Sequence, residues 1–153
     1  MRIASEPTWI ESSTKTSRPV HERLRAGLLD TSVVIDLGRI AVNDLPVQLS
    51  ISAITMAELS AGPAACDDLS ERARRQDRLQ RAESVFEPIP FGTDAARAFG
   101  RVYAAVMDRG RHPRRRMADL LIASVAIAED LPLVTRNAQD FVGLENLLEV
   151  VSV

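Results

Sequence analysis

The chain has little that could tie it together covalently. Of its 153 residues one is cysteine, Cys66, and two are histidine. A lone thiol closes no internal disulfide, and no Cys/His set is available for structural zinc, so the sequence fits a reducing cytoplasm. Lysine is almost missing, with Lys15 against eighteen arginines. Aromatic residues make up 4%, which leaves few rings for stacking on bases. An excess of one charge is absent too: 19 basic and 21 acidic residues give −2. Overall charge would not hold such a chain to nucleic acid, so any contact of that kind must be local. No apolar run approaches the roughly 18 residues of a membrane span. The first 26 residues lack the apolar core of a signal peptide, so neither membrane insertion nor secretion is expected.

What is there is a globular composition, 46% hydrophobic and 26% charged, of a size for one domain with one core. Residues 1–26 are polar, contain Pro7 and Pro19, and carry five basic and three acidic residues. They read as a flexible N-terminal extension, dispensable for the chemistry. From Gly27 to Val153 short apolar runs alternate with helical periodicity. Gly27-Leu28-Leu29 predicts a buried strand, followed after Asp30 by a turn and a helix. Residues 49–54 alternate like a strand, and Thr55–Ala61 reads as a helix stopped by Gly62-Pro63. A long polar helix is predicted over 67–85, with Leu69, Ala73, Leu79, Ala82 and Val85 as its apolar stripe. An amphipathic helix is predicted over 93–108, with Ala95, Phe99, Val102 and Val106 on one face. Met117–Ala128 is apolar almost all round and belongs inside the domain. Residues 132–135 and 148–151 read as further strands, with a turn at Asn137–Phe141 between them. Alternation of this kind predicts an α/β fold with a parallel sheet covered on both faces.

The acids fall at informative places. Asp30 follows the first strand, Glu58 lies one helical turn after the second, Asp119 opens the buried helix, and Asp140 lies just beyond Thr135. In an open parallel sheet, ligands bind at the carboxyl edge, where acids remote in sequence can converge. Each acid also has a purely structural reading. Asp30 could cap a helix; Thr55 and Glu58 match a capping box; Asp119 suits a helix N-terminus; Asn137 could cap the turn that holds Asp140. Four such coincidences are costly, because two carboxylates 5 Å apart repel by about 3 kcal/mol at an effective dielectric near 20. Only a divalent cation or shared protons would offset that. Carboxylates with neither thiolate nor imidazole suit Mg2+ or Mn2+ rather than zinc, and Mg2+ is commonly shared with phosphate oxygens. The pocket therefore points to phosphoryl chemistry.

Four segments, in order, carry a family resemblance: Leu28–Asp36, Ile54–Leu59, Ala118–Ala123 and Leu131–Phe141. Together they resemble the PIN-domain ribonucleases and, within them, the VapC toxins of bacterial toxin–antitoxin pairs, over residues 27–153. The resemblance implies a PIN-like three-layer α/β/α sandwich with a central, mostly parallel sheet. It also implies an Mg2+- or Mn2+-dependent endoribonuclease, inhibition by a small VapB-type antitoxin, and a homodimer. Asp30 and Asp119 match the family's central metal ligands, Glu58 its acid on the second helix, and Asp140 the acid of the Asn-x-x-Asp-Phe segment. Some members place an acid where Asn137 stands. Thr31, Ser32, Thr135 and Asn137 would support the carboxylates with hydrogen bonds.

Arg109, Arg111, Arg114, Arg115 and Arg116, with His112, crowd the segment before Asp119. They form either a solvated basic loop or an RNA-phosphate clamp at the rim of the site, with Arg114, Arg115 and Arg116 nearest to it in sequence. Rival classes fare less well. A haloacid-dehalogenase-type phosphatase needs a second acid where Ser32 stands. A receiver-type phosphoacceptor needs a lysine on a late strand, and Lys15 lies in the extension. A free-standing RNA-processing PIN nuclease, or a catalytically silent PIN binding module, would share the same acids or the same fold.

Overall fold

The computed structural model describes residues 23–153, so residues 1–22 of the predicted extension lie outside the described residues. The sheet is parallel throughout. Its strands are β1 (Ala26–Leu29), β2 (Gln48–Ile51), β3 (Leu133–Thr135) and β4 (Val150–Ser152), in the order β2-β1-β3-β4. Strand side chains alternate between faces, and this alternation divides the core in two. Leu28 and Leu133 point to one side, where they meet α4 (Thr93–Asp108) and α5 (Met117–Ala128). Leu29 and Val134 point to the other, against α1 (Thr31–Ile35), α2 (Ala53–Ala61) and α3 (Leu69–Val85). The result is the expected three-layer α/β/α sandwich. α5 is buried along Leu120, Ile122, Ala123, Val125 and Ala126, as its nearly all-apolar sequence requires.

Several boundaries differ from expectation, each for a local reason. β2 ends at Ile51, not at Ile54. Ser52 makes an isolated bridge to Ile89 and caps α2, its Oγ accepting the Thr55 N–H at 3.1 Å, and Ile54 turns into the α4–α5 side of the core. The last strand starts at Val150, because Leu148 closes a turn onto Leu144 and is buried there. In α3 only Leu79 and Ala82 of the predicted stripe are buried; Leu69 and Val85, at the two ends, stay exposed. The folded body also begins before Gly27. The Arg23 guanidinium donates to the Leu45 and Pro46 carbonyls at 3.0 and 3.2 Å, and the Val47 N–H donates to the Leu24 carbonyl.

Gly27 is required by close approach. A Cβ there would stand 2.8 Å from Pro46 Cγ and 2.9 Å from Val134 Cγ2, both in the packed layer beside β1. Gly27→Ala should therefore destabilise the protein by about 1–3 kcal/mol. A lowered denaturant midpoint with an unchanged slope is the expected result.

Candidate active site at the carboxyl edge of the sheet

From β1 the chain moves outward one way to β2, while β3 and β4 lie on the other side. The strand order thus reverses between β1 and β3, and a crevice opens at their carboxyl ends. Asp30 and Thr135 stand at those two ends. Asp30 is 4% exposed and Thr135 fully buried.

Asp30 is held by three donors. Its Oδ1 accepts the Thr31 N–H at 2.8 Å, and its Oδ2 accepts the Ser32 and Thr135 hydroxyls at 2.9 and 2.8 Å. Each hydroxyl is itself aligned by a backbone amide: Arg136 N–H donates to Ser32 Oγ at 3.2 Å, and Asn137 N–H to Thr135 Oγ1 at 3.0 Å. The turn after β3 therefore orients the acid at the end of β1. A carboxylate has about four acceptor positions; three are taken here, and one is left over.

Glu58 extends the network along α2. Its Oε1 accepts the Thr31 hydroxyl at 2.6 Å, and Thr31 Oγ1 stands 3.1 Å from the buried Thr55 hydroxyl. The capping-box expectation for Thr55 and Glu58 is corrected: Ser52 caps α2, and Glu58 reaches across to α1 instead. Ser52 and Thr55 are both fully buried; the sequence has Ser52 in a strand and Thr55 as a cap, and places neither in the hydroxyl network of the site. The available signal was polar residues set in an apolar stretch at the end of a strand.

Asp119 lies half-buried in the first turn of α5. Burial pushes its carboxyl up to about 6, and the charges of Asp30, Asp140 and Glu58 push in the same direction, against Arg116. Asp140 lies on a short 3-10 turn, Ala138–Phe141, pinned by the buried Phe141, and forms an ion pair with Arg116. Asn137 takes the N-cap position of this turn, as expected, but not through its side chain. Its side chain makes no capping bond and is exposed; its carbonyl accepts the Asp140 N–H instead. Pro113–Arg116 forms a second 3-10 turn. Pro113 is buried, and Arg114, Arg115 and Arg116 are exposed. Arg136 pairs with Asp36 at 3.4 Å.

Asp30, Glu58 and Asp140 thus all act on the charge of Asp119 at one edge of the sheet. They are not closed on a point: among the described residues no three or more His, Cys, Asp and Glu side chains form a ready metal cage. Two structural readings hold beside this. Asp30 does cap α1, and Asp119 does sit in the first turn of α5. Capping alone leaves Glu58 and the hydroxyl network unexplained. The donor set is hard oxygen throughout, which suits Mg2+ or Mn2+.

A family model described as PIN domain matches residues 27–143, which places the fold in the PIN class. Ribonuclease VapC5 of Mycobacterium tuberculosis is 36% identical over 128 residues, covering 82% of this chain and 92% of the relative. Ribonuclease VapC of Rickettsia bellii is 31% identical over 132 residues, covering 82% and 95%. The crystal structure of VapBC-5 from M. tuberculosis, a member of the VapBC family of toxin–antitoxin systems, superposes with a TM-score of 0.72 at 33% identity. That match spans 84% of this chain and 99% of the other. VapBC2 of Rickettsia felis, solved bound to a DNA fragment from its promoter, gives 0.65 at 26% identity over 80% and 96%. The chain belongs to the VapC ribonucleases of the PIN-domain family. No helix among the described residues is long and apolar enough to cross a membrane.

Proposed function

We propose that the protein is the toxin of a type II toxin–antitoxin system, a cytoplasmic Mg2+- or Mn2+-dependent endoribonuclease restrained by a VapB-type antitoxin and acting as a homodimer. One observation carries the reading: Asp119 is half-buried and pushed up to about 6 by its own burial and by the charges of three other acids at the strand ends. Such a concentration of like charge opposes folding unless a cation or a functional demand offsets it.

In this reading Asp30 and Asp119 hold the ion, with Glu58 and Asp140 completing its surroundings directly or through water. The bound cation would stabilise charge on the scissile phosphate and lower the pKa of water. Thr31, Ser32 and Thr135 aim the carboxylates, and the turn at Asn137 holds the hydroxyl of Thr135. Arg114, Arg115 and Arg116 attract RNA phosphates to an edge that would otherwise repel them. Membership of the VapC family supports both the reaction and the antitoxin.

The test is incubation of the purified protein with single-stranded RNA and Mg2+ or Mn2+, then with EDTA. Cleavage that EDTA stops and added metal restores is expected. Intact RNA with both metals, from folded protein that still binds a VapB-type partner, would identify a silent binding module instead.

A further inference from the structure

Beside the acids, on the α4–α5 side of the sheet, lies a cavity of about 270 Å³. Its floor is apolar: Val106 of α4, Pro113, Leu120 of α5 and Val142. Its rim is cationic and polar, formed by Arg111, His112, Arg115 and Arg116. Asp140 belongs to both places, lining the cavity and acting on Asp119. The site described above uses none of the floor.

Size, polarity and position each limit the occupant. Small-molecule pockets run from roughly 300 Å³ upward, so this one takes a single ring system and excludes a base pair. An apolar floor under a basic rim matches a nucleotide, whose flat base avoids water and whose phosphates seek arginine. The rim has donors to spare. Arg115 makes no ion pair among the described residues, and Arg111 makes only a long 3.4 Å bond to the Gln139 carbonyl. The shared wall at Asp140 puts anything held there next to the acids.

We propose that this cavity receives one unstacked base of single-stranded RNA beside the bond to be cut, with Arg111 and Arg115 on the flanking phosphates. The inference rests on the nuclease reading for what happens to the RNA, and not for its binding. It makes the cavity the origin of nucleotide preference in a chain with few aromatic rings.

Binding is measured in EDTA, so that no cleavage intervenes, with labelled RNA heptamers carrying one abasic nucleotide at each position in turn. One position should stand out, base removal there weakening binding by roughly 5- to 70-fold, as expected when about 40–100 Å² of apolar base surface leaves water for an aliphatic floor. Val142→Trp fills the cavity. It should bind the intact heptamer correspondingly less well, lose the dependence on the abasic position, and keep the same salt slope. Arg115→Gln should do the reverse, lowering the slope by about 1 while keeping the positional profile. If Val142→Trp melts early, His112→Trp overhangs the same cavity from the exposed rim and serves in its place. A flat abasic profile, or the parent profile persisting in the filled variants, overturns the proposal. So does preferential binding of an acidic peptide, such as a Glu-rich hexamer with one leucine. Failure of the parent to cut RNA with either metal would defeat the nuclease reading and leave this binding result standing; a flat profile with cleavage intact would do the opposite.

Discussion

Asp30→Asn is expected to lower RNA cleavage by about 10²- to 10³-fold, the range seen when one preorganised electrostatic group is lost from a site. Asparagine is chosen because it caps a helix as well as aspartate does. Any role of Asp30 as the cap of α1, where Oδ1 accepts the Thr31 N–H, is therefore retained. What goes is the negative charge and its charge-assisted bonds from Ser32 and Thr135. That loss should cost about 1–3 kcal/mol. It is partly repaid at Asp119, which no longer faces the Asp30 charge that helps to hold it near 6. The Asp119 carboxyl should titrate lower in the variant, visible by carbon-detected NMR. A folded Asp30→Asn protein that cleaves at the parental rate would reduce Asp30 to a helix cap.

Much of this arrangement is legible in the sequence. The layers follow from period alone: Leu28-Leu29 and Leu133-Val134 are apolar on both faces, and only a sheet covered twice buries both. The 93–108 helix coincides with its prediction, because its apolar residues recur at helical spacing and Gly92 and Arg109 bound it. The start of α2 was less legible. Ser52 and Thr55 are both good N-caps, and choosing between them depends on the bridge from Ser52 to Ile89, a contact 37 positions away. The same applies to the site. Asp30, Glu58, Asp119 and Asp140 are legible as acids after strands or near helix starts. That Glu58 would be gripped by Thr31, and Asp140 by Arg116, depends on how α1, α2 and the 113–116 turn pack.

Asp119→Asn should make the metal-free protein more stable at neutral pH while abolishing cleavage. The Asp119 carboxyl titrates near 6 in the folded protein against an ordinary 3.8. Below about 3.8 it is protonated in both states and contributes nothing. Between 3.8 and 6 the unfolded chain gives up its proton while the folded one keeps it, so stability falls as pH rises. Above 6 the whole deficit is present. The shift corresponds to about 3 kcal/mol at most, and partial exposure lowers it towards 1–2. The variant should therefore melt several degrees above the parent at pH 7.5 and level with it near pH 3.5. Comparing the two proteins at each pH cancels the titration of every group that does not interact with Asp119. Metal should act in the opposite sense, because a ligating carboxylate must be ionised. At 100 times its Kd, Mn2+ would stabilise the parent by about 2.7 kcal/mol, fading below pH 6, and should do nothing for Asp119→Asn. Equal melting of both proteins at pH 7.5, with Mn2+ stabilising each alike, would mean that Asp119 neither bears the repulsion nor holds the ion. A substitution that strengthens the fold and removes the reaction is what a buried, crowded carboxylate should give, because the same negative charge that is costly to bury among like charges in the metal-free protein is what attracts the cation.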